Sequence, residues 1–202
     1  MMTITTLQQL EALYGTVKET SLAKEIDHLN DDYAAFVSAS PFILLATVGA
    51  DGTDCSPKGD APGFVAILDR KTLAIPDRPG NNRIDNLKNI IEDGRTSVLF
   101  LIPGVGETLR VNGRATISAD PDLLARFAVD GKLPKSVILL AIDSVYFHCA
   151  KAILRSNLWD ASRYVERSTL PSPGQILKNI VNGFDGEAYD QELPERSRKS
   201  LY

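Results

Sequence analysis

Three short stretches of the sequence are rich in basic, amide and hydroxyl side chains. They are PDRPGNNRIDNLKNI at residues 76–90, CSPKGD at residues 55–60 and HCAKAILRSNLW at residues 148–159. Arginine, lysine, asparagine and serine all donate hydrogen bonds, and arginine matches the geometry of a phosphate group. The three stretches therefore predict an anion-binding site, with phosphate as the anion.

The stretch at residues 76–90 predicts a loop that leads directly into a helix. Its apolar residues have the spacing of one helix face: Ile84, Leu87, Ile90 and Ile91. A helix N-terminus presents unpaired N–H groups and a positive dipole end, which together attract anions. Gly80 allows a close backbone approach, and Arg83 adds a fixed charge. Asn81 and Asn82 offer amide donors.

The stretch at residues 55–60 places Ser56 and Lys58 at the end of a predicted strand, before a turn. Pairing of neighbouring strands in hairpins would carry Lys58 towards Arg83 and join the two stretches in one site.

A plainer alternative remains open for residues 76–90. The loop would then only cap its helix and leave its basic side chains in water.

The stretch at residues 148–159 predicts a short helix after a core strand. On a helix, Lys151, Arg155 and Trp159 recur at four-residue steps and share one face. Two basic groups beside the only tryptophan of the chain suit the wall of a ligand site. The alternative is a surface helix whose basic side chains cover apolar atoms, with Trp159 half buried.

The elements that position these stretches are mostly β-strands. Apolar runs, alternation and turn signals predict seven strands, at residues 42–49, 53–58, 63–68, 72–75, 97–104, 107–118 and 136–149. Four helices are predicted: from residue 20 or 21 to about residue 38, after Asp120-Pro121, at residues 150–159 and from Pro173. Residues 182–202 are predicted to be a polar tail that packs on a partner or frays. Strands joined by short turns pair antiparallel, and a sheet of this size tends to curl into a barrel.

Composition narrows the class of protein. The 202 residues suit one domain, and 22 basic against 26 acidic residues give a net charge of −4, which argues against nucleic-acid binding. The apolar runs are too short to span a bilayer, and the N-terminus lacks the pattern of a signal peptide. Cys55 and Cys149 fit no metal-ligand spacing, so we expect no metal site and two reduced thiols in a cytoplasmic protein.

Four motifs together resemble a known family. They are SPKGDAPGFV, PDRPGNNRIDNLKNI, FLIPGVGETLRVNGRATIS and YFHCAKAILRSNLW. These motifs are similar to those of the FMN-binding split-barrel proteins related to pyridoxamine 5′-phosphate oxidase, in a bacterial branch of mostly unassigned activity. The resemblance runs from about residue 36 to residue 159. It implies a mainly β (α+β) fold: an antiparallel split β-barrel with flanking helices at residues 36–160, an N-terminal helical segment packed on the barrel at residues 1–35, and a C-terminal helical extension and tail at residues 161–202.

The resemblance also implies a cofactor, a set of ligands and a partner. FMN is the expected cofactor, and its phosphate and ribityl chain are expected to be held by Ser56, Lys58, Arg78, Asn81, Asn82 and Arg83, with Pro57 beside the ring. A homodimer is expected, with two flavin sites at its interface. The candidates for the wall supplied by the second subunit are Arg110, Asn112, Lys151, Arg155, Ser156 and Trp159.

The expected activity is that of an FMN-dependent oxidoreductase acting on a small substrate or on a reduced nicotinamide. Pyridoxamine 5′-phosphate oxidases carry a C-terminal arginine- and histidine-bearing segment that grips the substrate phosphate. This chain ends in PERSRKSLY and has only two histidines, His28 and His148, so we do not expect that activity here. We interpret His28 as a surface residue and His148 as a packed one, and we assign no catalytic residue. Two alternatives are a flavin-binding module without turnover and a split barrel that holds a deazaflavin or haem.

Overall fold

A computed structural model of the protein describes residues 3–202, and residues 1 and 2 of the predicted N-terminal segment lie outside the described residues. The strands are β1 Phe42–Gly49, β2 Gly52–Gly59, β3 Ala66–Asp69, β4 Thr72–Asp77, β5 Arg95–Leu101, β6 Thr108–Ser118 and β7 Ser136–His148. The α-helices are α1 Leu7–Tyr14, α2 Glu19–Ala23, α3 Asp31–Ala39, α4 Asp85–Glu92, α5 Pro121–Ala125, α6 Lys151–Ser156, α7 Pro173–Ile180 and α8 Gly186–Lys199. None of the helices in this range is long and apolar enough to cross a membrane.

The seven strands form one antiparallel sheet in the order β2-β1-β5-β6-β7-β4-β3. The edge strands β2 and β3 do not pair with each other, so the sheet is not closed by backbone hydrogen bonds. We call the opening between β2 and the β3–β4 pair the seam. This topology confirms the predicted class: a mainly β fold with an antiparallel split barrel and flanking helices.

The core lies on the inner face of the curled sheet. Ile43 and Leu45 of β1 are fully buried there, as are Val98 and Phe100 of β5. The alternation predicted for β6 is observed, with Leu109, Val111 and Ala115 buried and the intervening residues more exposed. One buried and one wetter face is the expected consequence of period-two alternation in a strand.

A β-bulge separates the two halves of the β6–β7 pair. Asn112 lies opposite Ser144 but Gly113 lies opposite Ile142, so Asp143 is the extra residue. A Cβ atom at Gly113 would lie 1.9 Å from the carbonyl oxygen of Ala141, so only glycine allows this approach. Bulges bend a strand and redirect its side chains. The end of β7 is therefore turned relative to its beginning.

The single helix predicted from residue 20 or 21 to residue 38 is wrong. Residues 24–30 separate α2 from α3, and Ile26 instead makes two backbone hydrogen bonds with Val145, of 3.1 and 2.8 Å. The pairing is available because β4 accompanies β7 only from Ser136 to Ala141. Asn30 then starts α3 by accepting a hydrogen bond from the N–H group of Tyr33.

The C-terminal tail also departs from prediction, because it forms the helix α8 within the same chain. Helix α7 begins at Pro173 as predicted, with a capping box between Ser172 and Gln175. Helix α8 packs against it so closely that a Cβ atom at Gly174 would lie 2.1 Å from the carbonyl oxygen of Gly186. Asp190 of α8 accepts a 2.8 Å hydrogen bond from the N–H group of Gly174. The boundaries at residues 35 and 160 stay a prediction.

Candidate functional site

A cavity of about 670 Å³ lies at the seam. It is bordered by β2, by the end of β4, by the loop before α4 and by the start of β7. Seven of the residues predicted to bind the cofactor line it: Ser56, Pro57, Lys58, Arg78, Asn81, Asn82 and Arg83. The structure thus brings residues 55–60 and 76–90 together as expected, but across the open seam of the curled sheet rather than by hairpin pairing, because β2 does not pair with β3 or β4. Their roles as cofactor ligands stay a prediction.

Two ion pairs cross the seam beside this cavity. The Lys58 ammonium of β2 lies 2.6 Å from the Asp77 carboxylate at the end of β4. The Arg78 Nε–H donates to Asp60 over 2.8 Å, and the Arg78 Nη1–H donates to the carbonyl oxygen of Phe127 over 2.7 Å. Both cations therefore have carboxylate partners already, and Arg78 is also fixed by a backbone contact.

Asp60 is also bound by the C-terminal segment, which the sequence analysis did not place near the site. The Tyr202 hydroxyl donates a 2.6 Å hydrogen bond to the Asp60 carboxylate, and its ring lies 5.3 Å from the Arg78 guanidinium carbon. Burial opposes ionisation of Asp60, but hydrogen bonds from Tyr202, the Ala61 N–H group and Arg78 outweigh it and lower the pKa of the carboxyl. The hydrogen bond to Asp60 in turn raises the pKa of Tyr202.

The loop before α4 does not cap that helix with a side chain. Ile84 occupies the N-cap position in the left-handed region, at φ 55°, and makes no capping hydrogen bond. The Asn81 side chain instead accepts a hydrogen bond from the N–H group of Arg83, and Asn82 is also left-handed, at φ 58°. A β-branched residue in this region costs about 1–3 kcal/mol, and such strain is concentrated at ligand sites. The side-chain cap of the plainer alternative is therefore absent, whereas the Arg83 side chain is 75% exposed, as that alternative expects.

Helix α4 is fixed against the barrel by buried amides. The Asn86 Nδ2 group donates to the Thr47 hydroxyl of β1 over 2.9 Å, and Asn89 donates to the same hydroxyl over 3.1 Å. Asn86 and Thr47 are both buried, so these hydrogen bonds hold α4 firmly against β1. The first turn, from Asp85 to Leu87, consequently lies in the cavity wall with no side-chain cap on its N–H groups.

Two donors in the cavity were missed by the sequence analysis. The Ser136 hydroxyl is buried and has no hydrogen-bond partner within residues 3–202. Lys135 donates to the Asn82 side chain over 3.2 Å, and in the described part of the chain no carboxylate lies within 4 Å of its ammonium. Ser136 lies opposite Asp77 in the β4–β7 ladder, so only the strand pairing could have indicated this position.

The remaining predicted residues do not line the cavity: Arg110, Asn112, Lys151, Arg155, Ser156 and Trp159. Within the sheet, the Ser97 hydroxyl donates a 2.7 Å hydrogen bond to the side-chain oxygen of Asn112. Helix α6 ends at Ser156, because Asn157 is left-handed at φ 52°. Lys151 and Arg155 therefore share a helix face as predicted, whereas Trp159 lies beyond the helix. The Trp159 indole N–H donates over 2.8 Å to the carbonyl oxygen of Val105, which ties this segment to the β5–β6 loop.

Comparison with known proteins identifies the family. The family model described as pyridoxamine 5′-phosphate oxidase matches residues 29–149, which is more than half of the chain. No curated protein matches the sequence.

Several solved structures have a similar fold. HupZ from Group A Streptococcus is 20% identical, with 58% of this chain and 91% of that chain covered and a TM-score of 0.47. A candidate pyridoxamine 5′-phosphate oxidase from Lactobacillus delbrueckii is 22% identical, with 60% and 95% covered and a TM-score of 0.47. General stress protein 26 from Bacillus anthracis is 17% identical, with 56% and 88% covered and a TM-score of 0.42. The family match over residues 29–149 shows that the chain belongs to the pyridoxamine 5′-phosphate oxidase family.

Proposed function

We propose that the protein binds FMN in the seam cavity and acts as a flavin-dependent oxidoreductase. The observation that carries this proposal is the convergence on one cavity of donors that have no carboxylate or capping partner. The buried Ser136 hydroxyl, the uncapped start of α4 and the Lys135 ammonium all belong to its wall. The volume of about 670 Å³ is within the roughly 300–1,000 Å³ typical of small-molecule sites.

The residues of the cavity fit the parts of FMN. Its phosphate would be held by the N–H groups at the start of α4 with Asn82, Arg83 and Lys135, since a helix N-terminus and basic side chains together favour an anion. Hydroxyl groups of the ribityl chain match the polar side chains of Ser56 and Ser136. The flavin ring matches the apolar lining residues Pro57, Phe64 and Leu87.

Bound FMN supplies the capacity to accept and return a hydride or electrons, which protein side chains lack. The side chains bind and orient the cofactor and set its electrostatic environment. Within that environment Lys58 is held by Asp77 across the seam, so its charge is directed towards the cavity wall and partly neutralised. No side chain of the cavity is assigned a proton-transfer step. The spectroscopic test below asks whether a reduced nicotinamide, rather than an organic substrate, supplies the electrons.

The alternative cofactors differ in the protein groups that they need, donors for a phosphate in a deazaflavin and a histidine ligand for haem. A deazaflavin cofactor also carries a phosphate, so the donors around α4 suit it as well as they suit FMN. Neither His28 nor His148 lines the cavity, so histidine ligation of haem has no support there. A flavin-binding module without turnover would use the same contacts as the enzyme.

A homodimer is proposed as the working form. The chain exposes 13,520 Å² of surface, whereas a compact monomer of 22.0 kDa exposes about 9,300 Å². Obligate dimers bury roughly 1,000–2,500 Å² or more per subunit, so an interface of that kind would remove a large part of this excess. Helix α1 has no buried residue, and its Leu7 side chain is 70% exposed. A second copy would cover such surface and supply the outer wall of the cavity from the residues that lie outside it here: Arg110, Asn112, Lys151, Arg155, Ser156 and Trp159.

The test is the visible absorption spectrum of the purified protein with added FMN, before and after NADH or NADPH. Flavin bands that bleach without air and return with air support the oxidoreductase. Bound flavin that neither nucleotide bleaches supports the binding module, and a protein that binds no FMN contradicts the proposal. Light scattering on a size-exclusion column should give twice the mass of one chain, and a monomer at micromolar concentration would contradict the dimer.

A further inference from the structure

One residue of the C-terminal extension contacts both sides of the seam. Two ion pairs join the end of β2 to the end of β4 there, Lys58 with Asp77 and Asp60 with Arg78. Tyr202, which follows α8, adds a third contact. Its hydroxyl donates to the Asp60 carboxylate over 2.6 Å, and its ring lies 5.3 Å from the Arg78 guanidinium carbon. We call the contact of Tyr202 with Asp60 and Arg78 the clamp.

The clamp acts on a pair of charges that is largely withdrawn from water. The Asp60 side chain is 5% exposed and that of Arg78 is 16% exposed, so water screens their attraction weakly. The Tyr202 hydroxyl is one of three donors to the Asp60 carboxylate, together with Arg78 and the Ala61 N–H group. A hydrogen bond to a carboxylate is stronger than one between neutral groups. Loss of the Tyr202 hydroxyl should therefore loosen the contact between the two strand ends.

The segment that carries Tyr202 has few other contacts with the barrel. Helix α8 packs on α7, and within residues 3–202 it packs on no strand to a comparable extent. Leu201, the neighbour of Tyr202, is 61% exposed. Segments with few buried contacts open locally at a low free energy. The clamp can therefore release while the barrel stays folded.

The clamp lies outside the cavity but acts on its wall. Arg78 lines the cavity, whereas neither Asp60 nor Tyr202 does. Residues 161–202 also lie beyond residues 29–149, the part of the chain that matches the family model. An effect of Tyr202 on a ligand of the cavity must therefore pass through the seam rather than through a contact with the ligand.

We propose that Tyr202 holds the seam closed and thereby sets the rates at which FMN enters and leaves the cavity. This inference rests on the proposed binding of FMN in the seam cavity. Strands β2 and β4 share no backbone hydrogen bond, so their ends separate when the side-chain contacts break. The clamp is the same in the empty and in the filled cavity. Its loss therefore favours the open seam equally in both states and speeds entry and exit by the same factor.

The first measurement is hydrogen exchange of the flavin-free protein, followed by mass spectrometry. Tyr202→Phe removes only the hydroxyl and keeps the ring. We expect faster exchange in residues 52–61 and 76–84 of this variant than in the wild type. Tyr189→Phe is the matched control, because the Tyr189 ring also lies beside an arginine, 4.3 Å from the guanidinium carbon of Arg196, but within α8 rather than at the seam. The control should leave exchange at the seam unchanged.

The second measurement is stopped-flow fluorescence of FMN during binding and during displacement. The association and dissociation rate constants should both rise about three- to tenfold in Tyr202→Phe, the range of one hydrogen bond, while Kd changes by less than about twofold. Loss of a direct contact with the bound ligand would instead raise mainly the dissociation rate constant. Tyr189→Phe should have the rate constants of the wild type.

Each outcome decides a different part of the inference. Unchanged hydrogen exchange in Tyr202→Phe would overturn the clamp. Faster exchange with unchanged FMN rate constants, or with a change in dissociation alone, would overturn its control of the cofactor. A protein that binds no FMN contradicts the proposed function instead, and the exchange measurement on flavin-free protein then decides the clamp by itself.

Discussion

Lys58 of β2 and Asp77 of β4 form a 2.6 Å ion pair between two strands that share no backbone hydrogen bond. Both side chains are only 19% exposed, so water screens the pair weakly. The pair spans the seam at the wall of the cavity. The Lys58–Asp77 contact connects β2 to β4, which share no backbone hydrogen bonds. An anion in the cavity would compete with Asp77 for Lys58. Closure of the barrel and binding of the ligand are therefore linked through Lys58.

Replacing Asp77 with Asn should separate these two roles. The change leaves the Lys58 charge half-buried without a carboxylate, so the flavin-free protein should lose about 1–3 kcal/mol of unfolding free energy. FMN affinity should rise, because the Lys58 charge is no longer neutralised. Urea unfolding and flavin titration measure the two effects. Asp51→Asn, in the exposed β1–β2 turn, should change neither. Loss of both stability and affinity in Asp77→Asn would contradict this linkage.

Arg83→Ala should weaken FMN binding by about 1.5–3 kcal/mol, the contribution of a charge-assisted hydrogen bond. Arg95→Ala is a closely matched control. Both arginines are exposed and each lies within 2.7 Å of a carboxylate two residues away, Asp85 for Arg83 and Asp93 for Arg95. Arg95 lies outside the cavity. Fluorescence titration with FMN compares them, and equal affinities in the two variants would remove Arg83 from the phosphate site.

The sequence predicted those parts of the site that depend on local pattern. Alternation located β6, and the proline, glycine and asparagines marked the loop before α4. Lys135 and Ser136 were not predicted, because their place in the cavity follows from the pairing of β4 with β7, about 60 residues apart in the chain. No local pattern specifies such a register.

The helix predicted from residue 20 or 21 to residue 38 failed for a related reason. Its apolar spacing is helical, and Leu29, Tyr33 and Val37 are buried, although Leu22 is exposed. The open end of β7 nevertheless pairs with the backbone at Ile26 and breaks the helix. Tertiary hydrogen bonding there outweighs helix propensity, which differs by less than about 1 kcal/mol per residue for ordinary side chains.

Trp159→Phe should increase the emission of bound flavin if the tryptophan of a second subunit lies against the ring. Phenylalanine keeps most of the packing but removes the indole N–H that donates to Val105 and the electron-rich ring that quenches flavin. Steady-state fluorescence at protein concentrations above and below dimer dissociation measures the effect. The difference between the variants should vanish in the monomer, and a difference that persists there would place Trp159 beside the flavin of its own chain.

The pH dependence of stability should contain a contribution from His148. Its pKa is lowered in the folded protein, first by burial and then by Arg110 on β6 and Lys24 beside β7, while Tyr146 on its own strand is uncharged at pH 7. The unfolded chain therefore binds the proton more readily, near its ordinary pKa of about 6.5. Unfolding free energy should fall as pH falls through this value, and should level off below the folded pKa.

His148→Gln should remove this dependence, whereas His28→Gln should retain it. Urea unfolding of the wild type and of both variants at a series of pH values measures this dependence. A wild-type profile identical to that of His148→Gln would show that neither burial nor the charges of Arg110 and Lys24 lower the pKa of His148 in the folded protein.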